Sequence, residues 1–244
     1  MRPRLIVALA LLVLAPLGAL GWLAMRLAGD ARAEVERQFD TVVDARLDAT
    51  LATVERALGD LGRALRTATQ DFPREPAAVR ERLRADAHLS FVLVFDAERH
   101  LRFPPPEGAV SQAERAFLER TRGLWDGGAF RPPARTEGEA RVPPDTWHIW
   151  YWGGGLNLMF LAPQPDGGLV AAEVDRVRLL ADLVGVLPAT EDAGPDERVA
   201  LLDSAGRVVY QWGARRAGAD QAARRERPLP GPLSAWRLAW YGAP

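Results

Sequence analysis

The run from Leu5 to Met25, LIVALALLVLAPLGALGWLAM, holds 21 residues without a charged side chain. As a helix it would be about 30 Å long, which matches the hydrocarbon thickness of a bilayer. A cleaved signal peptide has an apolar stretch of only about 7–15 residues. We therefore predict that residues 1–27 are a signal anchor and that residues 5–25 cross a membrane. A removed signal peptide and a buried helix of a soluble protein are the alternatives.

Charges on either side of this run predict its orientation. Arg2 and Arg4 precede it, whereas Arg26 and Asp30 follow it with mixed sign. The positive-inside rule then leaves the amino terminus in the cytoplasm and exports the rest. The chain has no cysteine, which excludes disulfides and thiolate metal sites and suits a periplasm. The predicted location is the bacterial inner membrane, crossed once, with most of the chain in the periplasm.

The net charge and the apolar content of the chain limit the classes of partner and of fold that we expect. The net charge is −1, so the chain has no general field that would attract nucleic acid, and we expect no nucleic-acid partner. Hydrophobic residues make up 48%, enough for a packed core.

A helical stripe follows the apolar run. Nine apolar residues recur mostly at steps of three or four, the period of one helical face: Val35, Phe39, Val42, Leu47, Leu51, Val54, Leu58, Leu61 and Leu65. The prolines of FPREP (residues 72–76) end the pattern. We predict a long helix over residues 28–72. A helix of this length must bury its stripe on its own domain or on a second copy, and we predict a homodimer through residues 31–72.

Two strand patterns occur twice. SFVLVFDAERHLRF (residues 90–103) resembles RVALLDSAGRVVYQW (residues 198–212), and WHIWYW at Trp147 resembles WRLAWY at Trp236. An internal duplication explains both echoes, although hairpins can also look alike by chance. The first unit, residues 73–187, shows five strands with a helix inserted after the second. The second unit, residues 188–244, shows only three strands and is small or incomplete. The fold class is α+β, with antiparallel sheets.

This layout resembles the double Cache (PAS-like) sensor regions of bacterial histidine kinases and chemoreceptors. The likeness lies in the anchor, the long helix, the strand openings at Phe91 and Val199 and the connecting helix at Arg176. It covers residues 30–244 and implies an extracytoplasmic input domain that passes a signal to a kinase core or a methyl-accepting coil. Amino-acid-binding members of the family hold their ligand with tyrosine, arginine, tryptophan and aspartate. No arginine aligns immediately before the tryptophan here, so the resemblance does not carry the ligand class with it.

The aromatic strand is the candidate site. Side chains alternate along a strand, which puts Trp147 and Tyr151 on one face and His148, Trp150 and Trp152 on the other. Aromatic rings offer contact area and a π-face for cations. Further along, Glu173 and Asp175 lie two residues apart and could pair with a ligand ammonium. A strand buried on both sides, and an acidic edge paired with Arg176 or Arg178, are the competing interpretations.

Other features carry less chemistry. Asp96 and Asp203 occupy hairpin positions where a side chain bonds back to the turn. Three scattered histidines match no metal-ligand spacing, and neither a nucleophile elbow nor a phosphate loop is present. We therefore expect no catalytic residues, no metal and no cofactor. Five arginines between Arg215 and Arg227 predict either a solvated loop or a contact with anionic headgroups.

These observations predict an extracytoplasmic module that senses an unknown small molecule for a membrane-bound signalling protein of the histidine kinase type, without the kinase core. One alternative is a membrane-tethered periplasmic scaffold that binds a partner protein and no small molecule. A further alternative is the remnant of a kinase gene, folded but without output.

Overall fold

The computed structural model describes residues 3–105, 109–126, 130, 146–153, 155–190, 197–213 and 222–242; side chains are described only in part before residue 29. The chain is an α+β structure in which one long helix packs against two antiparallel sheets.

Helix α1 runs without interruption from Pro3 to Thr69, a span of 67 residues. Its end lies within three residues of the predicted one, just before Pro73 and Pro76, which deny the helix its interior geometry. Among the described residues, we find no helical segment that is both long and apolar enough to span a membrane. The predicted span over residues 5–25 is thus not confirmed.

The first sheet has five strands in the order β2-β1-β5-β4-β3. These strands are β1 (Leu89–Phe95), β2 (Leu101–Phe103), β3 (Thr146–Trp152), β4 (Gly155–Pro163) and β5 (Leu169–Val174), all paired antiparallel. Helix α2 (Pro76–Ala85) precedes β1, and helix α3 (Gln112–Trp125) lies between β2 and β3, as predicted. Ser111 and Glu114 form a capping box that satisfies orphan amides where α3 begins.

Helix α4 (Arg176–Val186) leads towards the second sheet, whose order is β7-β6-β9-β8. The strands are β6 (Arg198–Leu202), β7 (Val208–Trp212), β8 (Arg225–Pro228) and β9 (Arg237–Tyr241), with a 3-10 turn at Gly231–Leu233. Four strands are present where the sequence predicts three. Strand β8 was missed because its sequence, RERP, has no apolar alternation.

The strand order confirms half of the predicted repeat. Strands β6, β7, β9 and β8 take the places that β1, β2, β5 and β4 hold in the first sheet. The echo between the two hairpins is therefore structural. The echo between WHIWYW and WRLAWY is wrong, because β3 is an edge strand whereas β9 pairs with β6 inside its sheet.

One hydrophobic core joins α1 to both sheets. It contains Val43, Leu47 and Leu65 of α1, Phe160 of the first sheet and Leu238 of the second. The opposite face of the first sheet has its own core, in which Leu93 and Met159 pack against Phe117 of α3. The two sides of the first sheet therefore face different surroundings: α1 and α4 on one side, α3 on the other.

Strand β8 and Arg224, the residue before it, are held to α1 by ion pairs. Asp40 accepts a hydrogen bond from Nε of Arg224 at 2.9 Å, and Asp44 lies 2.9 Å from Nη2 of Arg227. Arg225 lies 2.5 Å from Asp40. The predicted solvated loop is thus wrong for these three arginines, while the contact with anionic headgroups stays a prediction. The remaining two, Arg215 and Arg216, lie outside the described residues.

Candidate functional site

The aromatic strand β3 presents its two faces to different cores, as the alternation predicts. Trp147 packs edge-on against Phe160, with ring centroids 5.2 Å apart, on the α1 side. Trp150 belongs to the core beneath α3, where it is 8% exposed. His148 lies on the same side, since its ring meets that of Phe130 at 5.6 Å.

A buried ion pair lies beneath α3. Glu173 of β5 is 4% exposed, and its Oε2 accepts hydrogen bonds from Nη2 of Arg120 at 2.5 Å and from Oγ of Ser90 at 2.9 Å. The Arg120 guanidinium lies over the rings of Phe91 and Phe117, at 5.5 and 5.0 Å from their centroids. The pair is therefore enclosed by aromatic surface and largely removed from water.

Strand register brings His148 near this pair. Across the sheet, Phe91 is opposite Glu173, Glu173 is opposite Met159, and Met159 is opposite His148. Neighbouring strands are about 4.8 Å apart, so the backbone positions of Glu173 and His148 are separated by roughly 10 Å. One row across the sheet thus carries a carboxylate, a thioether and an imidazole on the face that α3 covers.

The polar groups on this face have unused hydrogen-bonding capacity. The Nε1 atoms of Trp150 and Trp125 are buried and have no hydrogen-bond acceptor among the described residues. A buried donor without an acceptor costs about 1–3 kcal/mol. Burial also lowers the pKa of His148 below its ordinary value, which keeps the ring neutral at pH 7. The face therefore offers two N–H donors and a neutral imidazole to any molecule that reaches it.

The other predicted residues lie elsewhere. Trp147 is on the α1 face, away from Glu173. Tyr151 and Trp152, at the end of β3, are about half exposed. Asp175 follows β5 and accepts the Arg178 N–H at 2.8 Å as the N-cap of α4. Of the seven candidates, His148, Trp150 and Glu173 lie on the face of the first sheet that α3 covers.

Arg120 is the main residue that the sequence analysis missed. It lies in α3, close to the buried positions Phe117 and Thr121. A charged residue beside the apolar stripe of an amphipathic helix is the signal that could have identified it. Its partner could not have been identified in this way, because Glu173 is 53 residues away.

The two hairpin aspartates are structural, as predicted. Asp96 accepts hydrogen bonds from the His100 N–H and from Nε of Arg102, and Asp203 does the same with the Arg207 N–H and Nε, all at 2.8–2.9 Å. Burial raises the pKa of each carboxyl, but these donors outweigh it and hold the pKa below its ordinary value.

One group of side chains has the spacing of a metal site. Ligand atoms of Asp96, Glu98 and His100 lie within 4.8 Å of one another. Both carboxylate oxygens of Asp96 already accept hydrogen bonds from its own hairpin. The hydrogen bonds of the turn thus account for the position of Asp96, and we propose no metal centre here.

No protein-family model matches this chain, and no curated protein matches it. Among solved structures, the chain is similar to the extracellular domain of a protein assigned as a histidine kinase, rpHK1S-Z16. The sequence identity is 20%, the alignment covers 70% of this chain and 67% of that chain, and the TM-score is 0.27. This likeness is too distant to carry a functional argument.

Proposed function

We propose that this chain is the extracytoplasmic input module of a membrane-bound bacterial signalling protein of the histidine kinase type, and that it senses a small molecule. Its two sheets would be the paired units of a double Cache region, over residues 73–187 and 188–244. The observation that carries the proposal is the set of polar groups on the face beneath α3: the buried pair of Glu173 and Arg120, with His148 and Trp150 on the same face of the sheet.

The chemistry of this cluster favours a small zwitterion. A ligand ammonium would replace Arg120 at the carboxylate of Glu173. A ligand carboxylate would accept from Arg120 and from Nε1 of Trp150, which has no acceptor among the described residues. The rings of Phe91 and Phe117 supply apolar contact and a π-face for a cation. Amino acids and small amines with a carboxylate fit these requirements.

Helix α1 provides a route for the signal. It shares one core with both sheets and continues back into the uncharged run from Leu5 to Met25. A ligand shifts an equilibrium between two arrangements only by its difference in affinity for them. Binding beneath α3 would favour one packing of the first sheet on α1, and a small translation or rotation of α1 would carry the change towards the membrane.

The binding test is a thermal-shift screen of the full chain against amino acids, amines and carboxylates. Trp150→Phe removes the free N–H and keeps an aromatic ring, whereas Trp147→Phe makes the same change on the opposite face and is the matched control. We expect a ligand to raise the melting temperature of the wild type and of Trp147→Phe, and to raise that of Trp150→Phe less.

A screen in which no compound class shifts the wild type would refute small-molecule sensing. If a partner protein also co-purified with the chain, the scaffold alternative would replace it. Equal loss of the ligand shift in both tryptophan variants would show that the face beneath α3 is not the binding surface.

We also propose a homodimer, restricted to the amino-terminal part of the predicted interface. Leu47, Leu58 and Leu65 are buried within their own protomer, whereas Val35 and Val42 are more than half exposed and lie one heptad apart on one face. The chain has no cysteine, so single cysteines can be introduced without background. Val35→Cys should form an intermolecular disulfide on mild oxidation. Ala33→Cys, about 200° away around the helix, should form it more slowly. Equal rates at the two positions would refute this interface.

A further inference from the structure

A groove lies between α1 and α4, on the opposite side of the first sheet from α3. Its volume is about 470 Å³, within the range of small-molecule sites. Its apolar lining includes Val186 of α4, which is 39% exposed, and three leucines that are almost fully buried: Leu58 and Leu61 of α1 and Leu183 of α4.

The ionisable groups that line the groove carry net negative charge. Asp60 comes from α1, Asp182 from α4 and His88 from the residue before β1. Nε2 of His88 lies 3.3 Å from an oxygen of Asp182. Arg63 and Arg178 pair with the two aspartates but are not among the residues that line the groove. The side chains of Asp60 and Asp182 are 66% and 37% exposed, so a ligand can approach both carboxylates.

Gly185 lines the groove and, having no side chain, does not fill it. It lies within α4, where glycine costs about 0.5–1 kcal/mol relative to alanine. A Cβ added at Gly185 would meet nothing within 4 Å, so packing does not demand a glycine there. The missing side chain leaves open space beside the leucine lining.

We propose that this groove is a second binding site, for a small molecule with an aliphatic body and one ammonium group. The body would lie on the apolar lining, where Val186 is the most exposed large side chain, and the ammonium would pair with Asp60 and Asp182 in place of Arg63 and Arg178. Such a ligand would touch both helices and stabilise their present separation. Because α4 leads from the first sheet towards the second, occupancy would also restrain how the two sheets sit along α1.

The probes are n-hexylamine, hexanoate and n-hexanol, which share a chain length and differ in the polar group. Each is titrated into the purified full chain while the melting temperature is followed. At a hundredfold excess over its Kd, hexylamine should raise the melting temperature by about 5–10 °C. Hexanoate and hexanol should raise it by clearly less, because neither supplies a cation.

Gly185→Trp fills the groove and should abolish the hexylamine shift. Gly123→Trp is the matched control, since Gly123 is also a helical glycine with nothing within 4 Å of an added Cβ, and it lies on α3. Asp182→Asn should weaken hexylamine binding roughly tenfold or more through the loss of a charged partner.

Three results would overturn the site: no shift with hexylamine, an equal shift with hexanol, or a hexylamine shift that persists in Gly185→Trp. Trp150→Phe separates this site from the one beneath α3. It should leave the hexylamine shift unchanged, and loss of the shift in that variant would assign the amine to the α3 face.

Discussion

Removing one partner of the buried pair of Arg120 and Glu173 should lower the stability of the protein more than a typical surface substitution does. The side chain of Glu173 is 5% exposed and that of Arg120 is 21% exposed, so removal of one partner leaves the other charged group largely buried. Breaking such a pair costs about 3–5 kcal/mol, whereas replacing both partners by apolar residues of similar volume is often neutral or stabilising.

We expect Arg120→Leu to be the worse of the two single variants. Among the described residues, it leaves the more deeply buried carboxylate with only Ser90 as a side-chain donor. In a chain of this size, 1 kcal/mol corresponds to a shift of about 2–4 °C in melting temperature. Arg120→Leu should therefore melt roughly 6–20 °C below the wild type. Glu173→Leu should fall less, because the guanidinium can still reach water.

The decisive variant is the double substitution Arg120→Leu with Glu173→Leu. If the penalty of each single variant is an uncompensated charge, the double variant recovers most of the lost stability. Differential scanning calorimetry of the four proteins measures the coupling between the two sites. A double variant whose losses simply add would refute the reasoning and show that the two side chains matter through packing alone.

Three further predictions concern the turns and β8. Hydrogen bonds hold the pKa of Asp203 in the folded protein below its ordinary value. The carboxylate therefore stabilises the fold at any pH above its pKa in the unfolded chain, which is near 3.9. This contribution is lost as the pH falls through the lower pKa of the folded protein. Asp203→Asn should cost about 1–2 kcal/mol at pH 7 by urea unfolding, and its difference from the wild type should shrink below pH 4; a constant difference would contradict this account. Arg99 has a φ of 66° at the turn position where the second hairpin has Gly206, so Arg99→Gly should add about 0.5–1 kcal/mol and Gly206→Ala should remove a similar amount. The side chains that pair β8 with α1 are about one third exposed, so Asp44→Asn should lower the free energy of unfolding by under about 1 kcal/mol at low salt. In 1 M NaCl, where the Debye length is about 3 Å, the effect should almost vanish. An effect independent of salt would refute an ionic origin.

Much of the fold could be predicted because its signals are local. The stripe on α1 repeats with the helical period, and the structure buries Leu47, Val54, Leu58, Leu61 and Leu65 from it. The hairpin aspartates were identifiable because their hydrogen-bond partners lie within six residues. Within the protomer the structure buries Val43 and leaves Val42 exposed, where it is available to the second copy that the homodimer prediction requires. A shift of one residue is within the drift of a stripe whose steps vary between three and five.

The rest depends on contacts between distant parts of the chain. Strand β8 has no apolar pattern because it is an edge strand whose arginines face the aspartates of α1. The candidate site could be predicted only in part, because it too depends on contacts between distant parts of the chain. Alternation along β3 separated Trp147 from Trp150, but only the sheet register could bring His148 and Glu173 into one row.

The pairing of α1 with β8 has a consequence for how the protein is made. Asp40 is bonded to Arg224, which follows it by 184 residues. At a ribosomal rate of roughly 5–20 residues per second, Arg224 is synthesised about 10–40 s after Asp40. Throughout that interval the buried face of α1 lacks the last strands of the second sheet, which cover part of it in the folded protein. To escape aggregation, the newly made protein therefore needs either a chaperone or rapid packing of α1 on the first sheet.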